Sequence, residues 1–407
     1  MDAGAGDAVI EPPASEGGAD SAGPEVASEG GRDATGAESG DEVNGDATSS
    51  EDGDATPAPS SVTCAAPAAL AAPSARWVNA TGNLAGMAAG CTGLAYVAAQ
   101  PCSKRVIAGV EGHGLFATDD GGRTWAPLGT GSGSAAITNA VNAIVFDPAH
   151  PETFWEAGIR GTGGLYRTTD GGLTFEQLGT MTFTQLASVD FSDPARATLL
   201  TGTHGMKQQV FRSADGGGTW TNVGVALPAT AHNAETPLVI DARTYLLGAC
   251  GYGDGVCGVY RSDDSGASWT LSNDVAVSHY GAPLWASDGA IYWPLFGDGG
   301  LSKSTDLGKT WTKIVGPGTL VGLTPRELPD HSIVTVGIDH LMRSSDGGKS
   351  WQPILDPLPF SLAGGDAGSF TYSAATKTFF LSHFECAANK VLADAIMSAG
   401  FEGGETP

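Results

Sequence analysis

The residues of this chain best suited to handle a proton near neutral pH are its eight histidines. An imidazole titrates in that range and can act as base or acid. His232, Glu235, His279 and Tyr280 make an acid/base set, with a His or Glu taking a proton and a His or Tyr returning it. Arg160 could neutralise a ligand carboxylate. His113, His204, His340 and His383 could hydrogen-bond a ligand, and Trp293 and Phe296 could stack on sugar rings. Each has a plainer reading. Loop histidines are commonly solvated or bonded to backbone, and Trp293 and Phe296 could be core residues. Neither His-x-His nor a helical His pair at short spacing occurs, so no metal and no cofactor is expected. Nucleophilic Ser or Cys motifs and phosphate-binding glycine loops are missing as well.

These residues are far apart in sequence, so a regular framework has to gather them. Its signature is Ser344 to Trp351: a small hydroxyl, an Asp, a Gly, a second hydroxyl, then an aromatic. The pattern Ser/Thr-x-Asp-x-Gly-x-Ser/Thr-aromatic recurs at Thr118 to Trp125, Thr168 to Phe175, Ser213 to Trp220, Ser262 to Trp269 and Ser304 to Trp311. Its aspartates are Asp120, Asp170, Asp215, Asp264, Asp306 and Asp346, spaced by 50, 45, 49, 42 and 40 residues. That period suits a four-stranded propeller blade. Runs such as Gly164 to Arg167 and Gly258 to Arg261 alternate apolar and polar residues just before the motif, and the motif aromatic opens another strand. Asp147-Pro148, Asp193-Pro194 and Pro329-Asp330 mark a further turn in each repeat. A repeat therefore reads as strands A to D, with the motif at the C–D turn.

After the last motif, Ser369 to Ser373, Thr378 to Phe384 and Lys390 to Met397 read as three more strands. At the other end, Trp77 to Thr81 resembles the strand that follows each motif, with Trp77 in the aromatic's place. The expected fold is all-β: a seven-bladed β-propeller of four-stranded antiparallel blades, its last blade completed by an N-terminal strand so that no sheet edge stays open. In that geometry the D–A and B–C loops share one face, and the A–B and C–D turns share the other. His113, His204, His340 and His383 fall in or beside B–C loops, His232 and His279 in D–A loops, and only His150 and His331 in A–B turns. The candidate site is therefore the face opposite the motifs.

The six motifs resemble Asp-box (BNR) repeats, which occur in sialidases, in some glycan-cleaving hydrolases and in sorting receptors. The resemblance covers about residues 75–398 and points to the sialidase-like superfamily. It implies that each Asp caps backbone N–H groups of a hairpin turn, that the Gly adopts a conformation closed to other residues, and that the aromatic packs between blades. Calcium loops are a poorer reading, because the further oxygen ligands and distal Glu are missing. No Arg-Ile-Pro signature occurs, so sialidase activity is not expected. Xyloglucanase-like hydrolases that share the box use two such propellers facing a cleft, and this chain has length for one. Some seven-bladed polysaccharide lyases use His, Tyr and Arg on the loop face. The leading expectation is an exported, surface-tethered propeller that binds a glycan or a protein ligand on that face. The alternatives are a polysaccharide lyase or glycoside hydrolase using His, Tyr and Glu there, and an assembly scaffold.

Composition narrows the partners. Sixty glycines and only 16% charged residues favour a turn-rich β protein. Residues 1–63 hold fifteen acidic side chains and one basic one, Arg32, which accounts for −14 of the net charge of −25. That balance repels nucleic acid and anionic membranes, and no apolar run is long enough to span a bilayer. The expected partner is a polysaccharide or a cell-surface protein, met by a monomer. Residues 1–63 read as a disordered acidic tail or tether, 64–398 as the propeller and 399–407 as a flexible end. Six cysteines suggest disulfides, with Cys91–Cys102 and Cys250–Cys257 as local pairs and Cys64–Cys386 joining the chain ends. The expected location is secreted or at a bacterial cell surface, with the signal peptide outside a sequence that opens Met1-Asp2-Ala3. Alkylation of the exported protein followed by intact-mass measurement tests the cysteines. No thiol should react before reduction and six after it; six reactive thiols without reductant would contradict the pairing.

Overall fold

The computed structural model describes residues 76–401 except 88–93, 95, 130–136, 162, 232, 250–256, 279–280, 297–299, 315–319, 363–366 and 388–389, with backbone alone at 367, 385–387 and 390–393. Within them the chain forms seven four-stranded antiparallel sheets. Their A strands are Tyr96–Ala99, Ala140–Phe146, Thr184–Val189, Ala234–Val239, Leu284–Trp285, Arg326–Glu327 and Ala367–Ser373, taken as blades 1 to 7. They stand around a central channel, and B, C and D follow outward. The fold is a seven-bladed β-propeller, with short 3₁₀ turns at Gly82–Leu84 and Gly224–Ala226. In blade 7 the order is Val78–Asn79, Lys390–Gly400, Thr378–Ala387, Ala367–Ser373. Val78 lies opposite Ser398 and Asn79 opposite Met397, so both ends of the propeller contribute to one sheet.

The six repeated turns share one hydrogen-bond pattern. In the first, Asp120 Oδ1 accepts from the Thr118 hydroxyl at 2.8 Å and from the N–H groups of Arg123 and Thr124 at 3.0 Å. Its Oδ2 accepts from the Thr124 hydroxyl at 2.6 Å. Thr118 Oγ1 accepts in turn from the Gly122 N–H at 3.0 Å. Gly122 has φ +89°, and a methyl group there would sit 2.5 Å from the Ala80 carbonyl oxygen of blade 7. Glycine is required twice over, by its dihedral and by the approach of the neighbouring blade. The aromatic then ties blades together. Trp125 Nε1 donates to Ala80 O at 2.9 Å, and Trp269 Nε1 to Val223 O at 3.2 Å. Trp77, in the corresponding place of blade 7, donates to Asp356 O at 3.0 Å.

At the channel the A strands are sheet edges, and their outward N–H groups would be orphaned. Hydroxyls of adjacent blades cap several of them. Ser369 Oγ accepts from Val97 N at 2.7 Å, Ser188 Oγ from Val239 N at 2.9 Å, and Thr324 Oγ1 from Ala282 N at 2.7 Å. Between blades, both sheet faces are covered, and Phe154, Trp155, Tyr245 and Trp293 lie at or below 1% exposure. Burying a side chain of that size contributes about 2–3 kcal/mol.

Some expected boundaries move. The last strand runs to Gly400, and Phe401 packs against Phe379 at 5.5 Å while its N–H donates to Lys377 O, so 399–401 belong to the propeller. Cys102 and Cys257 are disulfide-bonded, while Cys64, Cys91, Cys250 and the Cys386 side chain lie outside the described residues, as does the acidic tail. Asp306→Asn should cost about 1–2 kcal/mol, because an amide cannot accept both hydroxyls and the backbone donors. Gly122→Ala should cost more, through strained φ and the collision with Ala80. Thermal unfolding of both variants checks this; an unchanged midpoint for Gly122→Ala would contradict the assigned contact.

Candidate functional site

Among the described residues of the B–C and D–A loops, blades 3 and 4 are joined through His204 and Glu235, and blades 1 and 2 through Glu111 and Arg160. His204 follows strand B of blade 3, Leu199–Thr203, and its Nδ1 lies 3.3 Å from Glu235 Oε2. Glu235 Oε1 accepts the Gly205 N–H at 3.0 Å. The Glu235 carboxylate is 1% exposed, and the His204 side chain is 24% exposed. Glu235 is thus too enclosed to meet a ligand; it orients an imidazole whose other nitrogen can. His204 N also donates to Phe183 O at 2.7 Å, which links the loop to the entry of blade 3.

Arg160 stands beside this surface, with its guanidinium 3.6 Å from the Glu111 carboxylate of blade 1. Glu111 is mostly enclosed, and Arg160 is exposed. His113 is exposed in the B–C turn of blade 1, and His340 faces Asp339 at 3.0 Å in that of blade 6. Phe296 is 47% exposed beyond strand B of blade 5. Two expected ligand contacts are core instead. Trp293 is fully buried on strand Ile291–Pro294 and packs edge-on to Trp311 at 5.8 Å. His383 lies within strand Thr378–Ala387, buried and stacked on Phe360 at 3.9 Å. His232, His279 and Tyr280 lie outside the described residues, so Glu235 alone of the expected acid/base set is placed.

Sequence reasoning missed Phe183 and Met206, which are 39% and 43% exposed on the same surface. Phe183 precedes Thr184 at the start of an A strand and reads there as one more apolar strand residue. What turns it outward is its φ of +58°. Arg160, Gln208 and Asn233 also have positive φ, at +61°, +53° and +45°. These four fall in loops of blades 2 to 4, and the turns of the opposite face hold positive-φ residues as well, among them Arg196, Ser265, Leu307 and His331.

On the other face, Ser287 Oγ lies 2.9 Å from His331 Nδ1, and the same Nδ1 is 3.0 Å from Glu327 Oε1. Both contacts use one ring nitrogen, so the imidazole cannot relay a proton from serine to carboxylate as a catalytic triad does. This cluster ties the A–B turns of blades 5 and 6. Among the described residues no cluster of His, Cys, Asp and Glu is placed to hold a metal ion.

Beneath the Arg160 loop, strand Phe154–Ile159 carries Glu156 at 0% exposure. Asn139 Nδ2 donates to its Oε2 at 3.4 Å, while Glu156 Oε1 and Asn139 Oδ1 have no other partner. Burial pushes the carboxyl up from 4.5 to about 8, with the Asn139 bond opposing. Protonated, its O–H can donate to Asn139 Oδ1 and close a two-bond ring. The folded state keeps this proton up to pH of about 8 while the unfolded chain releases it near 4.5, so stability falls as pH rises through that window. Glu156→Gln keeps the shape without the charge. It should raise stability at pH 8 by a few kcal/mol, on the order of 3, and change it little near pH 4.5. Midpoints of wild type and variant falling equally between those pH values would contradict the buried acid.

No protein-family model matches the chain. Among curated proteins it is 29% identical over 277 residues to a xyloglucanase of Hypocrea jecorina, covering 59% of this chain and 29% of that protein. A xyloglucanase of Paenibacillus sp. is 25% identical over 226 residues, covering 53% and 20%. The chain thus spans less than a third of the length of the relatives it matches. Among solved structures, the Niastella koreensis GH74 enzyme superposes with a TM-score of 0.54 at 18% identity, over 75% of this chain and 54% of that one. YCF48 bound to D1 peptide superposes with a TM-score of 0.52 at 14% identity, over 84% and 100%. At these identities the structural matches speak to the propeller fold.

Proposed function

We propose that this propeller acts on a polysaccharide of the xyloglucan class, as a glycoside hydrolase, with the glycan lying across the B–C and D–A loops. The observation that carries this reading is the match of about half the chain to curated xyloglucanases, three of them between 25% and 29% identical. The six turns are read with it as Asp-box repeats of the sialidase-like superfamily. The loop surface supports the reading. Phe183 and Phe296 offer exposed rings for the apolar faces of pyranoses, and Met206 is exposed next to Lys207. Hydrolysis needs a proton donor to the leaving oxygen and a base for water. His204, oriented by Glu235, can move a proton, and Glu111 supplies a carboxylate beside Arg160. The disulfides at Cys102 and Cys257 suit an oxidising compartment, so we place the protein outside the cytoplasm, secreted or at a cell surface.

A second reading, a glycan-binding propeller without turnover, is favoured by one observation. The carboxylates placed on this face already have partners: Glu235 has His204 and Gly205, Glu111 has Arg160, and Asp339 has His340. Incubation with soluble xyloglucan, assayed for new reducing ends and for retention on the immobilised polymer, separates the two. Release is expected, falling about 100-fold in His204→Ala with retention kept. Retention without release would establish the binder, and neither would overturn both.

A further inference from the structure

We infer that Glu156 and Asn139 form a proton-operated latch beneath the loop face. It holds the turns that carry Glu111 and Arg160 in place while Glu156 is protonated, and lets them part when Glu156 ionises. The latch rests on its own geometry, and the carbohydrate reading enters only as the choice of ligand for one arm of its test. Both side chains are at 0% exposure. Asn139 Nδ2 donates to Glu156 Oε2 at 3.4 Å, while Glu156 Oε1 and Asn139 Oδ1 are enclosed without a partner. Two buried acceptors need a hydrogen between them, and a proton on Oε1 can supply it. Once ionised, the carboxylate keeps one long hydrogen bond and has no water beside it. It must then draw water in or separate from Asn139.

Asn139 cannot move alone. A methyl group on Gly158 would sit 2.4 Å from Asn139 Cγ, and one on Gly161 would sit 2.5 Å from Thr138 O. Glycine at both positions lets blade 2 close onto the Thr138–Asn139 segment. On the other side, Thr138 O accepts from Gly112 N of blade 1 at 3.2 Å. Glu111 precedes Gly112 and Arg160 precedes Gly161, and the two meet across the blades at 3.6 Å. One short segment therefore positions both members of that pair. The blade 1 strands Val106–Val110 and Gly114–Thr118 carry no ionisable residue. The other titratable groups nearby are Tyr166, opposite Glu156 on strand C, Tyr96 on strand A of blade 1, and His113 beyond Gly112. Burial is the leading cause of the high value of Glu156, with the Asn139 bond opposing, so the pair itself sets when it ionises. A ligand that needs Glu111 and Arg160 in place binds the protonated form more tightly. By reciprocity it strengthens the hold of Glu156 on its proton.

Amide exchange of the full chain between about pH 7 and about pH 9.5, corrected for each amide's intrinsic rate, tests this. Protection of the Gly112 amide should fall roughly 30-fold as a group titrating at about 8 ionises. The Ala80 amide, bonded to Ile396 O at 2.7 Å in blade 7, is the reference and should hold its protection. Glu156→Gln supplies an N–H donor to Asn139 Oδ1 at every pH, so Gly112 should stay protected throughout. Its unfolding midpoint establishes that the variant is folded. Equal loss at Gly112 and Ala80, loss at Gly112 that persists in Glu156→Gln, or no loss at all would overturn the latch. Calorimetric affinity for a xyloglucan heptasaccharide should fall at least tenfold over the same range in the wild type and stay level in Glu156→Gln. An affinity that is constant in the wild type, or falls equally in both proteins, would overturn the link to the ligand. Failure of the loop-face reading would appear as no oligosaccharide binding at any pH while the exchange at Gly112 still responds to pH.

Discussion

The interaction on which this propeller depends is an ionised aspartate at the centre of a C–D turn. Its two oxygens collect two hydroxyls and successive backbone N–H groups, as in Asp346 with Ser344, Lys349 and Ser350. These bonds favour the charged form. The Thr174 hydroxyl and then its N–H hold Asp170 at about 2, and the Thr219 N–H and then its hydroxyl do the same for Asp215. Their stabilising contribution is present above the ordinary carboxylate value of 3.8 and is lost as pH falls toward 2. Because the turn is locked, the aromatic that follows leaves it in one direction, toward the neighbouring blade. The glycine within it lets that blade come close. Local turn chemistry is thereby converted into contact between blades.

The C–D side is spent on holding the ring together. Several A–B turns join it through ion pairs, such as Arg196 Nε to Asp147 Oδ2 at 2.8 Å. The loops at the other end join blades too, Arg160 with Glu111 and His204 with Glu235. Positive-φ residues occur at both ends, with Arg160, Phe183, Gln208 and Asn233 here and Arg196, Ser265, Leu307 and His331 in the turns opposite. The strain is tolerable because rigid strands on either side determine where each loop starts and ends.

The sequence was most informative where an interaction is local. Hydroxyl, aspartate and glycine at fixed spacing spell out a turn, and six turns at blade-sized intervals spell out a ring. It was least informative where two strands of different blades must meet. Trp293 and His383 read as candidate ligand contacts, yet both lie on B strands buried on two faces, where alternation disappears. Phe183 looked like a strand residue, and one dihedral turned it to solvent. The packing of blades 1 and 2 made Glu156 a buried acid, which no local pattern announces.

By itself, then, the sequence determined the period and the turn chemistry, because those follow from contacts between residues a few positions apart, while the strand-like runs at its two ends pointed to a seventh blade. The tertiary structure decided which polar groups meet: His204 with Glu235 over 31 positions, and Arg160 with Glu111 over 49. It also decided that a channel of about 1090 Å³ remains at the centre. The physical reason is that such pairings depend on how closed rings of sheets twist and pack, and no residue carries that information in its own neighbourhood.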